Sequence, residues 1–158
     1  MPSPSSQGIT LDGTLFRLPC ACATLRRLSR IVTRVYDDEM RECGLEAPQF
    51  GLLATIARLG DVSHASLAEG LVMDGTTLTR TLGLMCRRGW LEKHAGTDRR
   101  SRVYRITPKG RRQVAAARPH WQRAQQKLQV MMGRQLDTIV AAAHSASVTL
   151  SGRGERTR

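Results

Sequence analysis

Aromatic residues are scarce in this chain of 158: two Phe, two Trp and two Tyr, 4% of the total. Modules that read single-stranded nucleic acid stack bases on displayed rings, so that mode of recognition lacks its material here. Acidic residues are also few. Thirteen Asp and Glu face 25 Lys and Arg, for a formal charge of +12 and a pI near 11.1. No apolar run approaches the roughly 18 residues that a membrane span requires. The opening MPSPSSQG is polar and carries no apolar signal segment, so the expected location is the cytoplasm, with no membrane partner. The four cysteines form no CxxC pair, HExxH is absent, and His64, His94, His120 and His144 are scattered. Neither a metal site nor a cofactor is expected. A nucleophile elbow, a phosphate loop and paired carboxylates are missing too, which leaves an enzyme without support.

What the chain does have is 41% hydrophobic residues, enough for one core, and many good helix formers. Residues 1–16 carry Ser, Pro and Gly without periodicity and read as a flexible N-terminus. Pro19 suits the first turn of a helix in which Leu25, Leu28, Val32, Val35 and Tyr36 recur at helical spacing, ending near Gly44. Pro48 opens a second helix with Phe50, Leu53, Ile56 and Ala57 inward, closed by Gly60. Ser63 caps a short third helix with Leu67, Ala68 and Leu71. Asp74 caps a fourth, striped by Leu78, Leu82 and Met85. Period-two alternation on either side of residues 96–100 predicts a β-hairpin. Thr107 and Pro108 then start a long helix to about residue 132, lined by Val114, Ala117, Trp121, Ala124 and Leu128, which Pro119 should kink or break. Gly133 separates a last helix, and residues 149–158 read as a disordered basic tail.

The positive charge is concentrated. Residues 74–112 hold eleven Lys and Arg against three acids, a net +8 in a quarter of the chain. A concentrated charge points to a polyanion, whereas a dispersed one points to solubility. The predicted fold is mainly α with a small β-hairpin wing, that is, a winged helix-turn-helix. Thr76, Thr77, Thr79 and Arg80 lie on the outward start of the fourth helix, where short hydroxyl side chains and a forked guanidinium suit base edges in a major groove. The hairpin tip, Asp98, Arg99 and Arg100 with Arg102 on the following strand, suits a minor groove, whose narrowness concentrates negative potential. Arg87 and Arg88 suit phosphates or solvent better than bases.

The stretch MDGTTLTRTLGLMCRRGWLEKHAGTDRRSRVYRITPKG resembles the DNA-binding lobe of the MarR family of bacterial transcriptional regulators, in its D-x-T-T-L-T-R helix, its R-R-G, its wing D-R-R and its closing T-x-x-G. With LRRLSRIVTRVYDDEM and the Pro119–Trp121 region, the resemblance covers roughly residues 18–145. It implies a homodimer on double-stranded DNA, built from a winged helix-turn-helix at residues 46–107 and a helical dimerisation region at 17–45 and 108–148. It also implies a wing in which Asp98 pairs with Arg100 and Arg100 enters the minor groove, with Arg80 as the recognition-helix arginine. Gly75 and Gly83 depart from the pattern, the first where a larger polar residue is common and the second inside the recognition helix.

Regulators of this type respond to an effector, by repression released on ligand binding in the family default. The residues do not name the ligand. Cys20 and Cys22, in PCAC at a helix start, suit thiol-based sensing of oxidants or arsenicals because a helix N-terminus favours the thiolate. Positions i and i+2 diverge by about 200° on a helix, however, so Cys43 or a second subunit would be needed to complete a site. Trp121 is a candidate wall of an effector pocket, alongside the plainer reading of a core aromatic. The competing class is a non-specific architectural nucleic-acid binder, which the charge alone would allow.

Overall fold

The structure, a computed structural model, describes residues 20–96 and 101–154. The flexible segment expected at 1–16, Pro19, the hairpin tip with Asp98, Arg99 and Arg100, and residues 155–158 lie outside the described residues. Helix α1 (Ala21–Met40) leads through a 3-10 turn at Arg41–Cys43 into α2 (Ala47–Leu59). Gly44, with φ of 68°, closes the turn in the left-handed region that a side chain disfavours. The start of α2 is satisfied from two directions. Glu46 and Gln49 exchange hydrogen bonds as a capping box, and the Asp37 carboxylate on α1 accepts from the Ala47 N–H at 2.8 Å.

A two-residue strand β1 (Val62–Ser63) precedes α3 (His64–Leu71) and α4 (Gly75–Arg87), which form the helix-turn-helix. Ser63 accepts from the Ser66 N–H at 3.0 Å and Asp74 from the Thr77 N–H at 2.9 Å, each filling a donor that the helix start leaves open. Strands β2 (Leu91–Ala95) and β3 (Arg102–Ile106) pair antiparallel with Leu91 opposite Ile106, and β1 adds to the other edge with Val62 opposite Tyr104. The expected hairpin is thus part of a three-stranded sheet ordered β1-β3-β2. Leu53, Ile56, Leu78, Leu82 and Met85 are sealed between helices and sheet, with Trp90, Tyr104 and Ile106 also buried.

Helix α5 (Pro108–Met132) begins at a clasp. The Thr107 hydroxyl accepts from the Gly110 N–H at 3.0 Å and donates to the Gly89 carbonyl at 2.7 Å, while the Thr107 N–H donates to the Trp90 carbonyl at 3.0 Å. Val114, Ala117, Ala124 and Leu128 are buried along α5, and Trp121 is half-buried. Pro119 does not break this helix. It and Ala115, whose carbonyl loses its intrahelical donor, both lie exposed, where water can serve that carbonyl. Helices α1 and α5 are tied by Glu39, which accepts from Lys127 at 3.3 Å and Arg123 at 3.4 Å. Lys127 foremost, with Arg123, holds the Glu39 carboxyl below its ordinary range.

Helix α6 (Arg134–Gly154) runs six residues into the stretch expected to be disordered. Its alanine-rich sequence favours helix, and the Ser147 and Thr149 hydroxyls donate back to Ala143 and Ser145 carbonyls one turn earlier. Leu25, part of the apolar helical pattern, is 62% exposed, and Ile31 is 51% exposed, so the first three turns of α1 carry apolar side chains that no other described residue covers.

Candidate nucleic-acid interface

The first two turns of α4 present Thr76, Thr77, Thr79 and Arg80, all exposed. Their display follows from the anchoring opposite: Leu78 and Leu82 are completely buried, which fixes the rotation of the helix. The cap fixes where it starts. Hydrogen bonds from the Thr77 hydroxyl and amide hold the Asp74 carboxyl below its ordinary range, so Asp74 stays ionised at the positive end of the helix. Arg80 has no ion pair or hydrogen bond among the described residues. Thr79 is not equally free, because its hydroxyl lies 3.0 Å from His64 Nε2 at the start of α3. That contact, which spans fifteen residues, has no signature in the sequence.

Gly75 has room for a side chain, since a Cβ there would lie no closer than 3.9 Å to the His64 ring. Gly83 leaves α4 continuous, and a Cβ there would meet only the far end of Arg87 at 3.5 Å. Arg87 projects exposed from the last turn of α4. Its neighbour Arg88 is structural. It donates to the Gly44 carbonyl at 2.9 Å and lies over the Trp90 ring, 4.9 Å from its centroid, tying α1 and α2 to β2.

The hairpin base is similarly stiffened. On β3, Arg102 is exposed opposite Ala95 and shares with Lys93, His64 and Thr79 a cleft of about 420 Å³. Arg105 forks both Nε and Nη2 onto the two Asp61 oxygens, joining β3 to the loop before β1. The Arg105 hydrogen bonds hold the Asp61 carboxyl below the usual carboxylate range and raise the Arg105 guanidinium in return. A carboxyl whose folded pKa is lowered contributes stability above its unfolded pKa, near 4, and loses it as pH falls through the folded value. Asp61→Asn should therefore flatten the acid limb of a stability profile below roughly pH 4 while leaving the profile parallel to wild type near neutrality. Urea midpoints measured from pH 2 to 7 test this, and an unchanged acid limb would show the pair to be energetically idle.

The candidate effector residues fall into separate places. Cys20 and Cys22 are exposed at the start of α1, and Cys20 is the N-cap, with extended backbone at φ −101° and ψ 115°. Cys43 donates from Sγ to the Met40 carbonyl at 3.0 Å at the other end of that helix. Cys86 is half-buried in α4, and burial pushes its thiol pKa up. Trp121 lies against Phe50 with centroids 6.0 Å apart. With Val32 and Tyr36 they line an apolar chamber of about 440 Å³ between α1, α2 and α5.

Comparison with known proteins gives this geometry its context. The MarR family model matches residues 44–101. The DNA complex of the M. tuberculosis transcriptional regulator MosR superposes with a TM-score of 0.71 at 33% identity, over 83% of this chain and 98% of that one. A mutant MarR from E. coli complexed with operator DNA superposes with a TM-score of 0.70 at 19% identity, over 78% of this chain and 90% of that one, and shares the fold. The HTH-type transcriptional regulator PecS of Dickeya dadantii is 32% identical over 91 residues, 55% of each chain. The chain spans 55% of the length of PecS and 61% of a further curated HTH-type regulator from Bacillus subtilis.

Proposed function

Since the chain belongs to the MarR family, we propose that it acts as a homodimeric, sequence-specific regulator of transcription, a repressor that an effector releases from a pseudo-palindromic duplex operator. The observation that carries this reading is the start of α4, where three threonines and an unpaired arginine stand exposed beside a basic hairpin. Thr76, Thr77, Thr79 and Arg80 enter the major groove, and Arg80 forks onto a base edge. Arg100 at the hairpin tip reaches the adjacent minor groove with Asp98 setting its direction, while Arg87, Arg99 and Arg102 meet phosphates.

Residues 17–45 and 108–148 supply the dimerisation region in this reading. Its support is the uncovered apolar surface at both chain ends: Leu25 and Ile31 on α1, Val130 and Met131 on α5, Val148 and Leu150 on α6, all at least half exposed. A second copy is the partner that buries such a surface and also doubles the recognition helices at the one-turn spacing a palindrome requires. The chamber at Trp121 supports a small-molecule effector, being apolar and placed where helices of both regions meet.

Arg100→Ala should weaken binding to a duplex selected by the wild-type protein by about 1–3 kcal/mol in a gel-shift titration. Unchanged affinity removes the wing from the mechanism, and a monomeric mass in solution removes the dimer.

A second reading, thiol sensing, is favoured by Cys20. As an extended N-cap it is outside the helix, so the roughly 100° per residue of a regular helix does not set its direction relative to Cys22. A Cys20→Ser, Cys22→Ser variant that still leaves DNA normally under oxidant or a trivalent arsenical disposes of it.

A further inference from the structure

Most exposed arginines in the helical region and at the hairpin base that face an acid are matched to it: Arg41 to Asp38, Arg105 to Asp61 and Arg123 to Glu39. Three are not. Arg58 near the end of α2, and Arg111 and Arg118 in the first three turns of α5, surround a cleft of about 590 Å³, and no acidic residue lines it. Each is exposed and has no ion pair or hydrogen bond among the described residues. Beneath them the walls are apolar, with Ala54 and Ala57 half-buried and Val114 buried. Three guanidinia gathered in one concavity repel one another, and no acid among the described residues is paired with them to offset that repulsion. Arg111 and Arg118 stand seven residues apart, two helical turns, so they lie on the same side of α5 and face Arg58 across the cleft.

We infer that this cleft is a binding site for an organic phosphate. A single carboxylate would leave two of the three charges uncompensated, whereas a phosphate monoester, at about −2, leaves about one and a diphosphate about none, and either matches the planar fork of arginine. The cleft is within the size range of small-molecule sites and exceeds what a bare phosphate fills, so the remaining apolar wall takes a compact organic group. No residue of α3, α4, β2 or β3 lines it, so it is separate from the surface assigned to DNA.

The effect on DNA rests on the regulator reading above; the site itself does not. Arg58 lies three residues before Asp61, which holds Arg105 on β3, and β3 leads directly into the helix that carries Arg111. An anion drawing Arg58 towards Arg111 therefore acts on both attachments of the strand that bears the wing. Occupancy weakens duplex binding, and duplex binding weakens occupancy by the same factor.

Calorimetric titration of the full chain at constant ionic strength, with phenyl phosphate and separately with inorganic pyrophosphate, tests the site. Both should bind at one per chain. Arg58→Gln with Arg118→Gln should weaken binding at least about tenfold, as expected for lost charge-assisted hydrogen bonds. Arg26→Gln with Arg30→Gln removes the same charge from α1 and should change it less than about twofold. Equal loss in both double variants, or no binding by either titrant, overturns the site; pyrophosphate binding without phenyl phosphate overturns the organic group. Duplex affinity of the same variants without anion separates the two readings. If the Arg58, Arg118 variant loses it, the arginines are phosphate contacts for DNA, and the anion site falls while the regulator reading stands. If the wild type prefers no duplex, the regulator reading falls and the titration still decides the site.

Discussion

Gly110→Ala is expected to destabilise the protein by about 3 kcal/mol or more, at the upper end of what overpacking costs. A Cβ at this buried position would lie 2.2 Å from the Trp90 carbonyl oxygen and 2.8 Å from Ile106 Cγ1. Neither neighbour can yield cheaply. The Trp90 oxygen accepts from the Thr107 N–H, and the Thr107 hydroxyl spans Gly89, Trp90 and the Gly110 N–H at once. Ile106 is fixed by its pairing with Leu91. The added methyl must therefore push α5 away from the sheet and break the clasp. For a chain of this size the loss corresponds to a fall in Tm of roughly 6–12 °C. Gly51→Ala is the control, because a Cβ there meets nothing within 4 Å and the residue lies inside α2. It should be neutral or stabilising by up to about 1 kcal/mol. Urea melts of both variants decide the matter, and a loss below about 1 kcal/mol for Gly110→Ala would mean that α5 does not rest on Trp90.

The second large effect is on recognition. Arg80→Ala should cost about 1–3 kcal/mol on a selected duplex, roughly 5- to 150-fold in Kd, and should leave binding to random duplex nearly unchanged. The reasoning is geometric. Arg80 is exposed on the second turn of α4, unpaired, on a helix whose rotation Leu78 and Leu82 lock. A base-reading arginine carries sequence preference, so its loss should relax the preference at one position per half-site. Arg87, at the far end of the helix, should behave differently: its replacement by Ala should weaken all duplexes alike and reduce the slope of log K against log salt by about one per subunit. Should Arg80→Ala weaken every duplex to the same degree, Arg80 would be a phosphate contact and another residue would read the base.

Much of this architecture was legible in the residues because its signals are local. Ser63, Asp74 and Thr107 cap the helices that follow them, since a cap needs only a short oxygen-bearing side chain three residues before an open N–H. The fourth helix and the strands around the wing follow periodicity over a dozen residues. What escaped is what spans the chain. Strand β1 is two residues long, too short for any period, and exists only because β3 lies beside it. The pairing of His64 with Thr79, the reach of Arg88 to Gly44, and the gathering of Arg58 with Arg111 and Arg118 join segments 15, 44 and 53 residues or more apart. Pro119 does not break α5 because the carbonyl it orphans, on Ala115, faces water, and that exposed side could be read from the apolar stripe at Val114, Ala117, Ala124 and Leu128.

The clasp at Thr107 has a mechanical consequence. Strand β3 ends at Ile106 and α5 begins at Pro108, so one residue, itself bonded on three sides, separates wing from helix. No slack exists to absorb rotation. The 25 residues of α5 make a rod of about 37 Å, and a swing of about 5° about its Gly110 end carries the other end through roughly 3 Å. Wing and rod thus behave as the two arms of a crank. In the proposed homodimer, a change in how far apart the two subunits hold the distal arms would be delivered, undamped, as a change in the angle at which each finger meets the double helix.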